Sequence, residues 1–334
     1  MQKEYRSCEA TQLDKDRMKN MTRKRTRNVA LIDIGSSKAK FVVASVRNGQ
    51  KEKTLHRESR LINIGAGLNT THPVVSSEAI AMLTQVLRDY ASIMRSYAVS
   101  AARVIGTDAL RQARNIVQVQ ALVQQEAGAR LEILSHQEEA QLFFSVVSSR
   151  FPGRIAVVDV GGGSVQLSIG SRNNLEQSYL LRTGTVTMQR TYIHSTNPSS
   201  DELDRVWQHV RDQIRQLSLM PTGVDKLVYG STNILSFFQE AGIGTNTVRN
   251  IPEHPLQADV NELINLYYEI VRYPYDARSR FFPSDPYFMH GADLSLINVI
   301  CLCEALGVRE VIPTNLNLSE ALLVGLATLP AKTR

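Results

Sequence analysis

The stretch "VALIDIGSSKAKFVVASV" (29–46) decides the fold, because it joins two apolar runs through Asp33, a glycine and small polar residues. A second stretch, "IAVVDVGGGSVQLSIG" (155–170), repeats this pattern around Asp159. Alternating apolar residues on both sides of a Gly/Ser turn predict a β-hairpin. Two such hairpins facing each other across a cleft would hold a polyanion, since the backbone N–H groups of a turn can converge on an anion.

The segments around the two hairpins alternate between strand and helix patterns. Apolar residues in 76–97 fall on one helical face, and "ARLEILS" (129–135) resembles a strand that precedes the helix "HQEEAQLFFSVVSSR" (136–150). Phe151-Pro152-Gly153 then interrupts the chain before the second hairpin. This alternation predicts an α/β protein with helices packed on sheets.

The positive charge is concentrated at the N-terminus. Residues 1–28 hold nine Lys or Arg against four Asp or Glu, so most of the net charge of +6 belongs to this tail. The rest of the chain is nearly neutral, which argues against a broad nucleic-acid-binding face. Two interpretations of the tail remain: a nucleic-acid-binding arm, since "TRKRTRN" (22–28) is locally basic, or a disordered extension or mis-set start codon, with Met18 and Met21 as later starts.

Cysteine content and hydropathy indicate the compartment. Three cysteines without metal-type spacing argue against a disulfide framework, and Cys301 and Cys303 in an apolar helical run are expected to be core thiols. No apolar run reaches the roughly 18 residues of a membrane span, and the tail lacks the apolar core of a secretory signal. We therefore expect a cytoplasmic protein that does not contact membranes.

The second turn has the composition of a phosphate-binding loop. Its three glycines can take positive φ angles and let phosphate oxygens approach the main chain, Ser164 adds a hydroxyl donor, and Asp159 can hold Mg²⁺. The first turn would act in the same way with fewer glycines. The candidate residues of the two turns are Asp33, Gly35, Ser36, Asp159, Gly161, Gly162, Gly163 and Ser164.

The chain resembles the exopolyphosphatase/guanosine pentaphosphate phosphohydrolase (Ppx/GppA) family, in its short two-domain form. Four segments carry the resemblance in family order, "LIDIGSSKAKFVV", "GTDALRQARN", "LEILSHQEEAQLFF" and "VVDVGGGSVQLSIG", and "EALGVREVIPTNLNLSEALLVGL" adds a weaker fifth. The resemblance implies two actin-like (ribonuclease H-like) domains facing across a central cleft. We expect a disordered basic tail at 1–27, domain I at 28–150 joined by a C-terminal helix at 317–330, and domain II at 151–316.

The resemblance also implies a function and the residues that perform it. Family members release the terminal phosphate of polyphosphate or guanosine pentaphosphate with Mg²⁺ or Mn²⁺, and guanosine pentaphosphate links them to the stringent response. Glu139 is the first choice for the general base and Glu138 the alternative. Thr107 and Arg111 would lie towards the phosphate path, and Asp33, Asp159 and Gln166 would be metal ligands. The family often forms homodimers.

Several positions depart from the family pattern. Gln166 replaces a glutamate and brings no negative charge. Lys38 ends a first turn that usually reads "GSNS", and His136 replaces a glycine before the Glu pair. The departures keep a second hypothesis open, a catalytically degenerate regulatory protein that binds polyphosphate or a guanosine alarmone. A kinase or actin-like ATPase of the wider superfamily is a third.

Overall fold

The computed structural model of the chain describes residues 26–47, 50–68, 72–195, 197–217, 219, 223–231, 233–244, 246–247 and 256–328. Nearly all of the basic tail predicted at 1–27 lies outside these residues, as do the last residues of the helix predicted at 317–330. Within the described part, no helix is both long enough and apolar enough to cross a bilayer.

The first sheet has five strands in the order β3-β2-β1-β4-β5. The first three form an antiparallel meander, and the last two run parallel to β1. The strands are β1 Arg27–Ile34, β2 Lys38–Arg47, β3 Gln50–Leu61, β4 Ala101–Gly106 and β5 Leu131–Ile133. The helices of this half are α1 Ser77–Ser96, α2 Asp108–Gln112, α3 Ile116–Ala127 and α4 His136–Ser148, with a short 3₁₀ helix at Ile64–Gly67.

The second sheet repeats this arrangement and extends it. Its order is β10-β11-β12-β9-β6-β7-β8, where β6, β7 and β8 form the meander, β9 is parallel to β6, and β12 is parallel to β9. The strands are β6 Arg154–Val160, β7 Val165–Ser171, β8 Asn174–Leu181, β9 Lys226–Gly230, β10 Asn246–Thr247, β11 Leu256–Asp259 and β12 Glu310–Thr314. Both predicted hairpins are therefore present, and the α/β prediction is confirmed.

Six further helices and two short 3₁₀ helices complete the part of the chain that the structure describes. The helices are α5 Thr185–Tyr192, α6 Ser200–Gln216, α7 Ile234–Glu240, α8 Val260–Ile270, α9 Ala292–Leu306 and α10 Leu318–Thr328. The 3₁₀ helices are Tyr275–Phe281 and Pro286–His290. Cys301 and Cys303 are buried free thiols in α9, as predicted.

Strand β1 is buried on both faces, and a different layer covers each face. Ala30 and Ile32 belong to the cluster that includes residues of α1 and α3, whereas Val29 and Leu31 pack with the leucines of α10. Side chains alternate between the faces of a strand, so one run of apolar residues serves both layers. Asp33 has the parity of Leu31 and lies at the end of the strand on the α10 side.

Strand β6 has the same construction with a different helix. Ile155 and Val157 pack with Phe143 and Phe144 of α4, while residues of the other parity join the large cluster of the second half. Helices α4 and α10 also contact each other. The helix from the N-terminal half thus covers the second sheet and the C-terminal helix covers the first. The domain boundary predicted at 150/151 remains a prediction. Helix α4 precedes this boundary in the sequence but packs against the sheet that follows it.

Candidate active site

The two hairpin turns close with the same hydrogen bond. The Gly35 N–H donates to the Lys38 carbonyl at 3.0 Å, and the Gly161 N–H donates to the Ser164 carbonyl at 3.0 Å. In each hairpin an aspartate precedes the turn glycine by two residues, at the end of its strand. The chain therefore presents two turns of equivalent geometry, each with a carboxylate at its base.

The glycines of the second turn lack the positive φ angles that the sequence suggested. The glycines with left-handed φ angles lie elsewhere in the described chain, so the expected positive φ at the turn is wrong. Close packing explains the composition instead, because a Cβ added to Gly162 would lie 3.1 Å from the Val186 side chain. A Cβ on Gly184 would overlap the Ser164 nitrogen, so the turn rests directly on the chain that enters α5.

Each tip aspartate faces a cross-strand partner. Asp33 is directly opposite Lys40 on β2, and Asp159 is directly opposite Gln166 on β7. Opposite residues of an antiparallel pair share one face of the sheet. The first hairpin therefore pairs its carboxylate with a cation, and the second pairs its carboxylate with a neutral amide.

Both hairpins line one cavity of about 340 Å³, the phosphate cavity. The first half contributes the predicted residues Asp33, Gly35, Ser36, Thr107 and Glu139. The second half contributes the predicted residues Asp159, Gly161, Gly162, Gly163, Ser164 and Gln166. The starts of α4 and α10 also reach this cavity, and helix N-termini favour anions. Glu138 and Arg111 are the two predicted site residues that the structure does not place on its wall.

Burial disfavours the charged forms of both tip aspartates. Burial raises the pKa of Asp33, and Lys40 opposes this shift. Burial also raises the pKa of Asp159 to about 6; Lys40 and a hydrogen bond with Ser231 act against the shift, and Asp33 reinforces it. A divalent cation between such carboxylates would relieve their desolvation and mutual repulsion.

The donor set fits a magnesium-type ion that is completed by substrate. No group of three or more His, Cys, Asp or Glu side chains is arranged for a metal among the residues that the structure describes. Mg²⁺ is usually held by one or two carboxylates, with waters and phosphate oxygens filling the remaining positions. The buried Asp33 and the half-buried Asp159, which both line the phosphate cavity, meet that requirement.

Glu138 and Glu139 are adjacent in sequence and occupy opposite environments. Glu138 belongs to the capping box of α4, where its carboxylate accepts hydrogen bonds from the Ser135 N–H at 2.8 Å and the Ser135 hydroxyl at 2.7 Å. These bonds lower the pKa of Glu138. Burial raises the pKa of Glu139 to about 7, and Asp159 and Asp33 add to the shift. Only Glu139 has the pKa of a group that exchanges protons near neutrality.

Arg111 lies behind Glu139 and not on the cavity wall. Its Nη1 donates to Glu139 Oε2 at 2.8 Å and to the Leu134 carbonyl, and its Nη2 lies 2.8 Å from His136 Nδ1. The guanidinium opposes the rise in the Glu139 pKa. In the structure Arg111 thus contacts the candidate base, and its predicted contact with phosphate stays a prediction.

Gln166 connects the second hairpin to the start of α4. Its Nε2 donates to the His136 carbonyl at 2.9 Å. A carboxylate at this position has no proton to donate, so the amide is the group that can make this bond. Gln166 remains on the wall of the phosphate cavity.

Several wall residues, among them Lys40, Ser231 and Thr185, were not predicted from the sequence. Lys40 was detectable, because the alternation of β2 places it opposite Asp33. Ser231 directly follows β9, which runs parallel to β6, and the ends of parallel neighbours meet at one sheet edge. No local sequence pattern indicated Thr185. Its N–H donates to the Gly161 carbonyl at 3.0 Å because α5 packs under the turn.

A second cavity of about 420 Å³, the side cavity, adjoins the phosphate cavity. Lys38 and Tyr287 line both, and the Lys38 Nζ lies 3.8 Å from the centre of the Tyr287 ring. Burial lowers the pKa of Lys38, and Asp285 opposes this effect. Phe288 and Asn233 form further parts of the wall, so the side cavity combines aromatic surface with hydrogen-bonding groups.

Solved structures support the fold. The Aquifex aeolicus member of the Ppx/GppA protein family superposes with a TM-score of 0.75 at 20% identity, covering 90% of this chain and 98% of that one. An exopolyphosphatase from Cytophaga hutchinsonii gives a TM-score of 0.77 at 16% identity, covering 90% and 98%. An exopolyphosphatase-like protein gives 0.76 at 18% identity, covering 91% and 98%. The fold is therefore the actin-like two-domain fold of these proteins.

The family assignment rests on the sequence model. The model of the Ppx/GppA phosphatase family matches residues 42–268, which include the second Gly-rich turn, α4 with Glu139, and the Thr107 and Arg111 segment. This match spans more than half of the chain and agrees with the superpositions. The chain belongs to the Ppx/GppA phosphatase family.

Proposed function

We propose that the chain is a divalent-metal-dependent phosphoanhydride hydrolase that releases the terminal phosphate of polyphosphate or guanosine pentaphosphate. One observation carries the proposal: the Glu139 carboxylate, with a pKa of about 7, shares a cavity with two aspartate-based hairpin turns. Family membership supports phosphatase chemistry in general, and the cavity supports a phosphate chain as its substrate.

The turns would bind and orient the terminal phosphate. Backbone N–H groups and the Ser36 and Ser164 hydroxyls are donors for phosphate oxygens, and Lys40 adds positive charge. Asp33 and Asp159 would hold Mg²⁺ or Mn²⁺, which when bound neutralises charge that develops on the transferred phosphate. The rest of the mechanism depends on Glu139.

Glu139 would accept the proton of the attacking water. The water oxygen forms a bond to the terminal phosphorus as the bridging P–O bond breaks, and the shortened chain leaves with the bonding electrons. The proton passes to the Glu139 carboxylate, which releases it to solvent after the reaction. Arg111 donates to one oxygen of this carboxylate and holds it in place, so the other oxygen remains available to accept the proton.

The two adjacent glutamates offer a matched test. Glu139→Gln should lower phosphate release by about 10²–10⁴-fold because the general base is lost. Glu138→Gln removes the same negative charge from a neighbouring position outside the cavity. This variant should retain most activity, with a modest loss of helix stability from the altered capping box. Phosphate release would be measured with polyphosphate and guanosine pentaphosphate, each with Mg²⁺ and with Mn²⁺. Equal activity of the two variants would refute the role of Glu139.

The same assay tests a second candidate function, a regulatory protein that binds these ligands without cleaving them. Gln166 favours it, because the amide supplies no charge to a metal where the family pattern has a glutamate. The aromatic and polar wall of the side cavity suits a nucleoside attached to bound phosphates. Binding of polyphosphate or guanosine pentaphosphate by the unmodified protein, with no phosphate released under either metal, would establish this function in place of hydrolysis.

A further inference from the structure

A third and smaller cavity opens at the tips of both hairpins. It measures about 160 Å³ and shares Ser36, Ser37, Gly162 and Gly163 with the phosphate cavity. We call it the tip cavity. It is smaller than the roughly 300 Å³ of pockets that enclose a whole small molecule, so it suits one part of a larger ligand. Because the turns separate the two cavities, a ligand that passes between the turns would occupy both.

The charge of the tip cavity favours an anion. Arg182 and Arg190 contribute to its wall, and no described lining residue is acidic. Among the residues that the structure describes, no ion pair engages the Arg190 guanidinium, although other surface arginines such as Arg211 and Arg215 are paired. Arginine presents a planar fork of N–H donors that matches phosphate oxygens.

The wall of the tip cavity is fixed to the turns themselves. The Gly65 N–H donates to the Ser36 carbonyl at 2.7 Å, and the Asn63 N–H donates to the Ser37 carbonyl at 3.1 Å. On the opposite side the Thr187 hydroxyl donates to the Gly163 carbonyl at 3.0 Å. Both walls are therefore hydrogen-bonded to the turns that would bind the terminal phosphate. These bonds fix the position of the tip cavity relative to the phosphate cavity.

We propose that the tip cavity is a subsite for a second phosphate group of the substrate, remote from the phosphate that is cleaved, with Arg190 as its principal charged ligand. This inference rests on the proposed function. The ligand class is a phosphate ester or anhydride that continues from the phosphate cavity. A distant unit of a polyphosphate chain or the 3′-diphosphate of guanosine pentaphosphate would each supply it, whereas in this proposal the short tripolyphosphate occupies the phosphate cavity alone.

Comparing substrates of different length tests the subsite. Arg190→Gln should raise the KM for long-chain polyphosphate about five- to tenfold, as expected for one charge-assisted contact near the surface. The KM for tripolyphosphate should stay unchanged, and so should the kcat for both substrates. Arg205→Gln is the matched control, since Arg205 is an exposed arginine of the same half that lines none of these cavities. Arg190→Lys, which retains the charge, should recover part of the loss.

The outcomes separate the subsite from the proposed function. A selective KM increase with polyphosphate, guanosine pentaphosphate or both supports the subsite and identifies its occupant. Equal KM values for Arg190→Gln and Arg205→Gln on both long substrates overturn it and leave the hydrolase proposal intact. If the unmodified protein releases no phosphate, fluorescently labelled long-chain polyphosphate replaces the assay. Weaker binding by Arg190→Gln alone then supports the subsite, and equal binding by the two variants overturns it.

Discussion

At the scale of single residues, the candidate site depends on how Arg111 is used. Its guanidinium contacts Glu139, His136 and the Leu134 carbonyl, so three groups at the start of α4 converge on one side chain. A residue that binds the general base affects the pH dependence of the reaction, whereas a residue that binds phosphate affects KM. The two roles can therefore be separated experimentally.

Replacing Arg111 should move the pH profile to higher pH. Arg111 opposes the rise in the Glu139 pKa, so Arg111→Gln should raise this pKa above about 7. Glu139 acts as a base only when ionised, and the acidic limb of kcat/KM reports its pKa in the free enzyme. The limb should therefore shift upward and the rate at pH 7 should fall, with Arg114→Gln as the exposed control. An unchanged limb with a raised KM would restore Arg111 as a direct phosphate ligand.

The local sequence predicted the positions of the tip aspartates, because strand periodicity determines where they lie. Asp33 and Asp159 follow apolar strands, and the repeated Asp-x-Gly pattern was enough to predict that they face a common cavity. The choice between Glu138 and Glu139 was not determined by residue type. The structure distinguishes them because Ser135 captures the first carboxylate in a capping box, which leaves the next residue directed at the cavity.

At the scale of secondary-structure elements, the second turn is supported from below by α5. The N–H groups of Thr185 and Val186 donate to the Gly161 and Gly162 carbonyls, so the start of the helix is bonded to the turn. Gly184 permits this approach because it has no side chain. The sequence did not predict this contact, since Gly184 lies about 20 residues beyond the turn and no short-range pattern links them.

Substituting Gly184 should disrupt the turn more than it disrupts the fold. A Cβ at Gly184 overlaps backbone atoms of the turn, so Gly184→Ala should cost about 1–3 kcal/mol of stability and lower phosphate release. Gly325→Ala is the control, because its Cβ would meet nothing within 4 Å. Thermal unfolding and phosphate release would be measured together. Retention of both by Gly184→Ala would show that the turn does not depend on this contact.

At the scale of the whole molecule, the exchange of helices joins the two halves. Helix α10 covers the first sheet, α4 covers the second, and the two helices contact each other. The α/β class was predictable from alternating patterns. The exchange of helices was harder to predict, because the strand residues that pack against Phe143 and Phe144 come from β6, β9 and β12, which are widely separated in the chain. Apolar periodicity shows that a face is buried but not which partner buries it.

A core substitution in α10 should therefore destabilise both halves together. Leu322 is fully buried against β1 and β2, so Leu322→Ala should cost about 2–5 kcal/mol. We expect one cooperative transition at a lower temperature by calorimetry, since α10 and α4 form a shared layer. Val117→Ala, at an exposed position of α3, should have little effect. Two separate transitions in Leu322→Ala would show that the halves unfold independently.

If the cavity binds a phosphate chain as proposed, the different partners of the two tip aspartates would give that chain a direction. A scaffold built from two equivalent hairpins would accept a linear polyanion in either orientation. Lys40 opposite Asp33 and Gln166 opposite Asp159 break that equivalence, because the first carboxylate faces a cation across its hairpin and the second faces a neutral amide. Under the proposed function, a phosphate chain would therefore enter with a defined head and tail, and its most highly charged end would be drawn towards the lysine side.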